Sequence, residues 1–435
     1  MDIDLDRARA LRVLGRGAMG TVFLVAARHG GCRYALKVFD KRGAAASKPD
    51  ADRRARWELS VLSRLAHPHL PCLLGSAETP DLLAWAVPYC PGGDLNELRY
   101  TLPDRVFSPA AIRFYIAEIV SALAELHASG IVYRDLKPEN VLLRADGHVT
   151  LTDFDLSRIL PPKQTPSSAS PQRTNHHVFH GGHRPRVSAR SEIPLVSQAK
   201  HESLPPAIPS PRQQLQNLVR FIMRTDRSEL SKKAKSARVS PVSRKPASFA
   251  SSGASGAWGK SYSFVGTEEY VAPEMVRGEG HGFAIDWWAV GVLVYEMAYG
   301  RTPFKGKNRK ETFRNVLLKD VEFPGDSRRR LPELTDLIAQ LLERDPKKRL
   351  GYHGGADEVR AHPFFAGVAW DMLEVLSRPP YIPPPADDDD HAADAGGDNE
   401  VDERKEFSVR EYFEKLHQPP PPETESSSSE FSSEF

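Results

Sequence analysis

The pattern of apolar and polar positions divides the chain into a β-rich first part and a helical later part. Short runs of β-branched and aromatic residues, broken by glycines, predict strands in LRVLG, TVFLVAA and RYALKVF. Residues 51–66 carry apolar side chains three and four positions apart, which predicts a helix. A longer helix is predicted to begin at Ser108, with Pro109 in its first turn, and to run through His127.

Two further β-type runs, VLL at 141–143 and VTLT at 149–152, follow this helix, and 261–385 is mostly helical in pattern. The most apolar stretch, 283–300, contains Asp286 and Glu296, and its uncharged core is too short for a bilayer. It therefore predicts a buried helix. These elements predict an α+β protein with a small β-rich lobe and a larger helical lobe.

Two polar stretches interrupt or follow this pattern. Residues 161–260 are rich in Pro, Ser, Arg and Lys and carry about 17 basic and 4 acidic side chains. From about residue 386 onward the chain is acidic, with DDDD at 387–390. Both stretches have too little apolar material to offset the entropy of ordering, which predicts disorder. The basic stretch is interpreted as an insertion between two halves of one fold, because so long a structureless run is improbable inside a compact domain.

The composition and charge of the chain limit the classes of protein to which it can belong. The 435 residues carry a net charge of +2, so the whole molecule has no strong electrostatic character, and no feature indicates nucleic-acid recognition. Three widely spaced cysteines without a CxxC exclude a disulfide scaffold or zinc cluster and fit a reducing compartment. The first ten residues are charged throughout and do not resemble a signal peptide. A cytoplasmic protein is therefore expected.

Two motifs in the predicted β-rich lobe are candidates for phosphate binding. Residues 14–22, LGRGAMGTV, contain GxGxxG, in which glycines would let the backbone approach phosphates. The alternative is an ordinary flexible turn. The dinucleotide-binding version of the motif needs a following helix, whereas a strand follows here, which predicts a Gly-rich β-hairpin lid. Lys37 lies in the next strand, and it is either a solvated surface residue or a phosphate ligand held by Glu58 on the following helix.

The strongest motif is YRDLKPENVLL at 133–143. Asp135 could accept the proton of an attacking hydroxyl, Lys137 could neutralise a transferring phosphoryl group, and Asn140 offers an oxygen to Mg²⁺. The alternative of an ordinary polar loop is remote. Downstream, LTDFDLS at 151–157 places two carboxylates around one phenylalanine, which suggests a metal-binding aspartate.

Together these motifs resemble the protein kinase family. APE at 272–274 resembles the end of the activation segment, DWWAVG resembles the helix that anchors the catalytic loop, and Arg349 resembles the arginine that pairs with Glu274. The resemblance implies a bilobal kinase domain at 11–366, with an N-lobe at about 11–88, a C-lobe at about 91–366 and the disordered insertion at about 161–260 in the activation segment. Residues 367–435 would be an AGC-type C-terminal tail, largely acidic and disordered.

The resemblance also answers which aspartate of LTDFDLS holds a metal. Asp153 matches the metal-binding aspartate of the kinase DFG motif, Phe154 matches its packing residue, and Asp155 replaces the glycine. Asp155 is therefore interpreted as conformational rather than catalytic. DFD and a long insertion before APE resemble the plant-specific AGC kinases, the group of PINOID, phototropins and UNICORN-like kinases, which implies a role in growth or developmental signalling.

This resemblance implies ATP and Mg²⁺ as cofactors. Mg²⁺ would be held by Asn140 and Asp153, and Val87 would be the gatekeeper before a hinge at Pro88–Cys90. Proline at 88 is compatible with the hinge because that position supplies only its carbonyl. The implied ATP-binding residues are Leu14, Gly15, Arg16, Gly17, Ala18, Met19, Gly20, Thr21, Val22, Ala35, Lys37, Glu58, Val87, Pro88, Cys90 and Leu142.

The same resemblance implies protein substrates. Lys137, two residues after the catalytic Asp135, favours serine and threonine acceptors over tyrosine. Asp94, Glu139 and Glu296 match acids that bind substrate arginines in AGC kinases, which implies a basic-directed kinase; the alternative for each is ordinary surface charge.

Regulatory residues are implied in the same way. Ser263 matches the activation-segment phosphosite, and a phosphate there would require arginines, for which Arg54, Arg134 and Arg158 are the candidates. The terminal FSSEF resembles the aromatic motif by which AGC kinases dock the small lobe or recruit an upstream activating kinase. Its aromatics, Phe431 and Phe435, are four positions apart rather than the usual three.

Two questions remain open at the level of sequence. The basic insertion could bind anionic lipid at the plasma membrane, act as a nuclear signal through SKKAKSAR at 231–238, or be a soluble phosphorylated spacer. The rival to a kinase is a pseudokinase scaffold that acts through its insertion and tail. Asp155 is the only departure that favours the scaffold, since the expected catalytic residues Lys37, Glu58, Asp135, Asn140 and Asp153 are all present.

Overall fold

The computed structural model describes residues 3–17, 19–26, 32–43, 50–160, 260–324, 331–376, 378–383 and 406–417, and the backbone of 238–242. The first part of the chain forms the predicted β-rich lobe. Its strands pair in antiparallel fashion, and one helix packs beside them. The elements are β1 (Arg9–Gly17), β2 (Gly20–Ala26), β3 (Arg33–Asp40), α1 (Ala51–Leu62), β4 (Gly75–Glu78) and β5 (Leu82–Pro88).

The α1 helix is shorter than predicted. It ends at Leu62, and the chain turns over the next residues instead of continuing to residue 66. Ala55, Glu58 and Val61 lie on its buried face, whereas Trp57 is half-buried and donates a hydrogen bond from Nε1 to Ser157 Oγ at 3.1 Å. The apolar spacing therefore located the helix but did not locate its end.

The larger lobe is mostly helical, as predicted. Short antiparallel strand pairs lie among its helices. In chain order the elements are α2 (Leu95–Thr101), α3 (Pro109–Ala128), β6 (Ile131–Val132), β7 (Val141–Leu143), β8 (Val149–Leu151), β9 (Arg158–Ile159), β10 (Arg238–Val242), β11 (Phe264–Thr267), α4 (Pro273–Arg277), α5 (Ala284–Tyr299), α6 (Arg309–Leu318), α7 (Pro332–Leu341), α8 (Gly355–Arg360) and α9 (Leu373–Leu376).

Two helices form the centre of this lobe. Ser108 accepts a hydrogen bond from the backbone N–H of Ala111 and so caps α3 at the predicted start. Every residue of α5 from Ala284 to Met297 is buried, which explains why this segment is apolar around its whole circumference. Among the described residues, no helix has the length and apolar character needed to cross a bilayer.

Part of the C-terminal tail, which was predicted to be largely disordered, forms regular structure. Two further elements, β12 (Phe407–Ser408) and α10 (Val409–His417), return to the small lobe. The β12 strand pairs with β1 and extends the sheet to the order β12–β1–β2–β3–β5–β4. Val409 and Phe413 are buried on the outer face of the sheet, against Phe23. For residues 407–417 the prediction was wrong, because the sheet supplies the apolar surface against which Val409 and Phe413 pack.

The small lobe also begins before the expected residue 11. Leu5, Ala8 and Ala10 are buried in the same core as Phe413. Short N-terminal and tail segments thus complete one face of the sheet, and the pattern of either segment alone does not predict this contact.

Candidate active site

A cleft of about 1320 Å³ lies between the inner face of the sheet and the larger lobe. It is lined by most of the residues that were assigned to ATP, namely Leu14, Gly15, Arg16, Gly17, Met19, Gly20, Val22, Ala35, Lys37, Glu58, Val87, Pro88, Cys90 and Leu142. Thr21 is not among the lining residues, because side chains alternate along β2 and Val22 faces the cleft. Ala18 lies outside the described residues.

The Gly-rich segment is the predicted β-hairpin of β1 and β2, which closes at Gly17 opposite Gly20. Gly20 has φ of 128°, and a Cβ there would lie 2.2 Å from the carbonyl oxygen of Val38, so only glycine fits. A Cβ at Gly15 would meet nothing within 4 Å, although Gly15 lines the cleft. The hairpin therefore leaves open space on the cleft side, where the backbone could approach a phosphate chain.

Lys37 is held by two carboxylates from different parts of the chain. Its Nζ donates to Glu58 Oε1 at 2.8 Å and Oε2 at 2.7 Å, and to Asp153 Oδ1 at 3.4 Å. Burial alone would lower the pKa of Lys37, but Glu58 and Asp153 outweigh burial, so the pKa is raised. The ammonium group therefore stays charged and is oriented into the cleft, as the phosphate-ligand alternative requires.

Asp135 is buried and accepts hydrogen bonds from two residues that line the cleft, Lys137 and Asn140. Lys137 Nζ donates to Asp135 Oδ2 at 3.2 Å, and Thr267 Oγ1 donates to Asp135 Oδ1 at 3.1 Å. Lys137 Nζ also donates to Thr267 Oγ1 at 3.1 Å. These contacts join the catalytic-loop candidates to the segment just before APE. Thr267 was missed from the sequence, since no single residue of FVGTEEY indicated a contact with Asp135.

The backbone before Asp135 is fixed by a buried aspartate on α5. Asp286 accepts hydrogen bonds from the backbone N–H of Tyr133 at 2.9 Å and of Arg134 at 2.8 Å, and it contacts His127 Nε2 at 2.8 Å. Arg134 has φ of 72°, an uncommon conformation for a side-chain-bearing residue. Asp286 therefore anchors the loop in the way that the resemblance of DWWAVG implied.

Asn140 and Asp153 are the residues that could hold a divalent cation. Asn140 Nδ2 donates to the carbonyl oxygen of Asp135 at 2.8 Å, so its amide oxygen is the atom available to a metal. Both residues line the cleft. One carboxylate and one amide oxygen, with room for phosphate oxygens and water, is a donor set that suits Mg²⁺. Within the described ranges, no group of three or more His, Cys, Asp and Glu residues forms a metal cage.

The DFD segment is buried. Phe154 is fully buried and its ring lies 5.3 Å from the ring of Tyr133. Asp155 has a buried side chain and forms an ion pair with Arg54 of α1. The left-handed backbone conformation is at Asp153, with φ of 60°, and Asp155 does not adopt it. Burial, followed by the negative charge of Asp153, raises the pKa of Asp155 to about 7, and Arg54 opposes this rise.

Of the three arginines expected around Ser263, one contacts it. Arg134 Nη1 donates to Ser263 Oγ at 2.5 Å and to Ser261 Oγ at 3.3 Å. Burial lowers the pKa of Arg134 to about 9, and the positive charges of Arg158 and Arg54 contribute to the decrease. Arg158 and Arg54 are therefore both close enough to influence Arg134. Arg158 is exposed, and Arg54 binds Asp155 rather than Ser263.

The three acids assigned to substrate recognition differ in their surroundings. Asp94 caps α2 by accepting from the backbone N–H of Glu97 at 2.8 Å, whereas Glu139 is exposed at the cleft. Glu296 is mostly buried, forms an ion pair with Arg99 at 3.3 Å and accepts from the hydroxyl of Tyr270.

The same acids influence one another electrostatically. Burial is the main cause that raises the pKa of Asp94 and of Glu296, and the negative charge of Glu139 adds to both shifts. The acids therefore form one acidic region with Glu139 as its exposed member. Arg99, which partly neutralises Glu296, was missed because its side chain reaches Glu296 only through tertiary packing.

A buried ion pair joins Glu274 of the APE segment to Arg349. Arg349 Nη1 and Nη2 donate to Glu274 at 2.7 and 2.9 Å, and both side chains are almost fully buried. This is the contact that the resemblance implied. Phe431 and Phe435, and nearly all of the basic insertion, lie outside the described residues.

Comparisons with known proteins agree with this geometry. The protein kinase domain family matches residues 8–178 and 247–365. The serine/threonine-protein kinase UCN of Arabidopsis thaliana is 46% identical over 96% of this chain and 92% of its own length. OXI1 of the same plant is 39% identical over 95% of this chain and 86% of its own length.

A further relative comes from a second plant. Protein kinase PINOID 2 of Oryza sativa subsp. japonica is 40% identical over 88% of this chain and 78% of its own length. The family match covers more than half of the chain, and the relatives align along most of its length. The chain therefore belongs to the protein kinase family and, within it, to the plant AGC group.

Proposed function

We propose that this protein is a serine/threonine kinase that transfers the γ-phosphoryl group of ATP to hydroxyl groups of protein substrates in plant growth or developmental signalling. The observation that carries the proposal is that Lys37 and Asp153 meet in one cleft, while the buried Asp135 accepts hydrogen bonds from the cleft residues Lys137 and Asn140. The relatives named as serine/threonine-protein kinases support the choice of acceptor.

The residues of the candidate active site have distinct tasks. Lys37, kept charged by Glu58, would bind the α- and β-phosphates of the nucleotide. Asp135 would accept the proton of the substrate hydroxyl, and its two oxygens are oriented by Lys137 and Thr267. Lys137 also lies where it can neutralise charge that develops on the transferred group.

Asn140 and Asp153 would hold Mg²⁺, which when bound neutralises phosphate charge. Their position supports this assignment: Asn140 is fixed by its hydrogen bond to Asp135, and Asp153 is fixed by Lys37. The protein therefore places the two oxygen ligands before any nucleotide enters the cleft, which reduces reorganisation at the moment of reaction.

The test compares ATP turnover by the wild type and by Asp135→Asn. We expect the variant to lose phosphoryl transfer by about 10³-fold or more, since the proton acceptor is removed, while nucleotide binding changes little. Equal turnover by both proteins, or none by the wild type, would favour the pseudokinase scaffold. The names of the relatives, and the presence of Lys37, Asn140 and Asp153 together in the cleft, support catalysis over that scaffold.

Phosphorylation of Ser263 is proposed to regulate this activity. A phosphate would place nearly two negative charges beside Arg134, within reach of the field of Arg158 and Arg54. We expect Ser263→Ala to lower kcat/KM by about tenfold or more, because the cluster would lose its anion. Full activity of that variant, measured with a peptide substrate, would remove the mechanism.

The remaining assignments are proposals from the sequence. An upstream activating kinase would dock at Phe431 and Phe435, and the basic insertion would direct the protein to anionic membrane lipid or to the nucleus from a cytoplasmic pool. Vesicle co-sedimentation with and without phosphatidylserine, compared between the whole chain and a chain lacking residues 163–232, tests the lipid assignment.

A further inference from the structure

The contact between Arg54 and Asp155 joins two elements that control the active site. Arg54 lies on α1, one helical turn before Glu58, the residue that orients Lys37. Asp155 lies two residues after Asp153 in the larger lobe. The Asp155 carboxylate has no exposed surface, and the Arg54 side chain is only 17% exposed. The ion pair therefore fixes α1 against the DFD segment from inside the protein.

This contact exists because an aspartate replaces the glycine of the more common motif. A glycine has no side chain and would leave Arg54 without this anion. The replacement causes no backbone strain here, since Asp155 does not adopt the left-handed conformation that favours glycine. In this conformation of the segment, the side chain is therefore gained without a conformational cost.

Arg54 also retains capacity for a second anion. Its Nε is buried and, within the described part of the chain, has no hydrogen-bond acceptor. Arg54 lies close enough to Arg134 to lower the pKa of that residue, and Arg134 contacts Ser263. A phosphate on Ser263 would therefore enter the field of a guanidinium group that Asp155 already holds.

We propose that Asp155 is a positioning residue, a built-in carboxylate that holds α1 and the Lys37–Glu58 pair in place through Arg54 before Ser263 carries a phosphate. The inference rests on the proposed kinase function. Asp155 and a phosphorylated Ser263 are two anions that act on the neighbouring guanidinium groups of Arg54 and Arg134. Each anion is therefore most important when the other is absent. Without Asp155, the buried charge of Arg54 is left uncompensated unless the phosphate replaces it.

The experiment measures kcat and KM for ATP in the wild type phosphorylated on Ser263, in Asp155→Gly, in Ser263→Ala and in the double variant. We expect Asp155→Gly to lower kcat about twofold to threefold when Ser263 is phosphorylated, and about tenfold or more in the Ser263→Ala background. A merely structural contribution of Asp155 would give the same factor in both backgrounds, and that result would overturn the proposal.

A second series tests the arginine. Arg54→Ala should reproduce the effect of Asp155→Gly, and combining the two should add little, because both remove one contact. Arg53→Ala is the matched control, since Arg53 is an exposed arginine on the same helix that pairs with Asp50; we expect its activity within about twofold of the wild type. Additive losses for Arg54 and Asp155 would contradict the proposal.

A second variant and a second measurement distinguish the possible results. Asp155→Asn retains the size of the side chain but removes its charge. If Asp155→Gly does not fold, Asp155→Asn is measured in its place, and the same decreases in kcat are expected. Hydrogen exchange of the α1 amides should increase in the Asp155 and Arg54 variants and not in Arg53→Ala. An inactive wild type defeats the proposed function, whereas an active wild type with unchanged Asp155 variants defeats only this inference.

Discussion

Buried charges in the large lobe are compensated by partners distant in the sequence. Arg349 has no exposed surface, and it donates to Glu274 through both terminal nitrogens, to Ala284 O from Nη1 at 2.8 Å and to Glu343 O from Nε at 2.9 Å. Burial would raise the pKa of Glu274, but Arg349 outweighs burial and the pKa is lowered. The pair ties the APE helix α4 to the chain beyond α7.

We predict that Arg349→Met destabilises the protein by about 3–5 kcal/mol near neutral pH, because the Glu274 carboxylate is left buried and unpaired. Glu274 has a depressed pKa in the folded protein. Its contribution to stability is therefore present above its unfolded pKa of about 4.5 and is lost as the pH falls through the lower folded value.

Urea unfolding of Arg349→Met and of Arg349→Met/Glu274→Leu measures the free energy of unfolding and tests this prediction. The double variant, in which both charges are absent, should recover part of the lost free energy. A loss below about 1 kcal/mol in the single variant near neutral pH would show that the pair contributes little.

At the scale of elements, the tail segments depend on the sheet that they cover. A strand of two residues and a helix of nine residues are too short to be stable alone. The rings of Tyr412 and Phe413 lie 5.1 and 5.9 Å from the ring of Phe23 on β2. Arg16 of the Gly-rich hairpin stacks over the ring of Tyr412 at 5.3 Å. The tail therefore contributes to the stability of the small lobe.

We predict that Phe413→Ala lowers stability by about 3–5 kcal/mol, since it leaves a cavity beneath the outer face of the sheet. Leu416→Ala is the matched control on the same helix, because Leu416 is 57% exposed and should change stability by less than about 0.5 kcal/mol. Thermal unfolding measures both, and hydrogen exchange locates the change in β1 and β2. Equal effects of the two substitutions would show that α10 does not pack as described.

At the scale of the whole molecule, charge is distributed unevenly although the net charge is only +2. Acidic side chains gather beside the catalytic loop, where Glu139 is exposed and Asp94 is half-buried, while Arg134, which contacts Ser263, lies near the positive charges of Arg158 and Arg54. A substrate segment with basic residues near the acceptor would complement the acidic region. The charge of Glu296 is already partly satisfied by Arg99, so Glu139 is the most available partner.

We therefore predict a preference for Arg or Lys two or three residues before the acceptor in a peptide library. Glu139→Ala should reduce kcat/KM for a basic peptide by about tenfold and change a neutral peptide little, which corresponds to the loss of one charge pair of about 1.4 kcal/mol. Glu333→Ala, at an exposed position on α7, is the control. A library without a basic preference would refute the basic-directed assignment.

The sequence by itself determined the β-rich and helical lobes, the Gly-rich hairpin and the catalytic loop, because these depend on local periodicity and on motifs whose residues are close in the chain. The tertiary structure decided that Arg54 binds Asp155, that Thr267 contacts Asp135 and that residues 407–413 complete the small-lobe sheet. Each of these contacts joins segments about 100 or more residues apart, and their partners have no fixed spacing. Local pattern shows which side chains must be buried or paired, but only packing selects the partner.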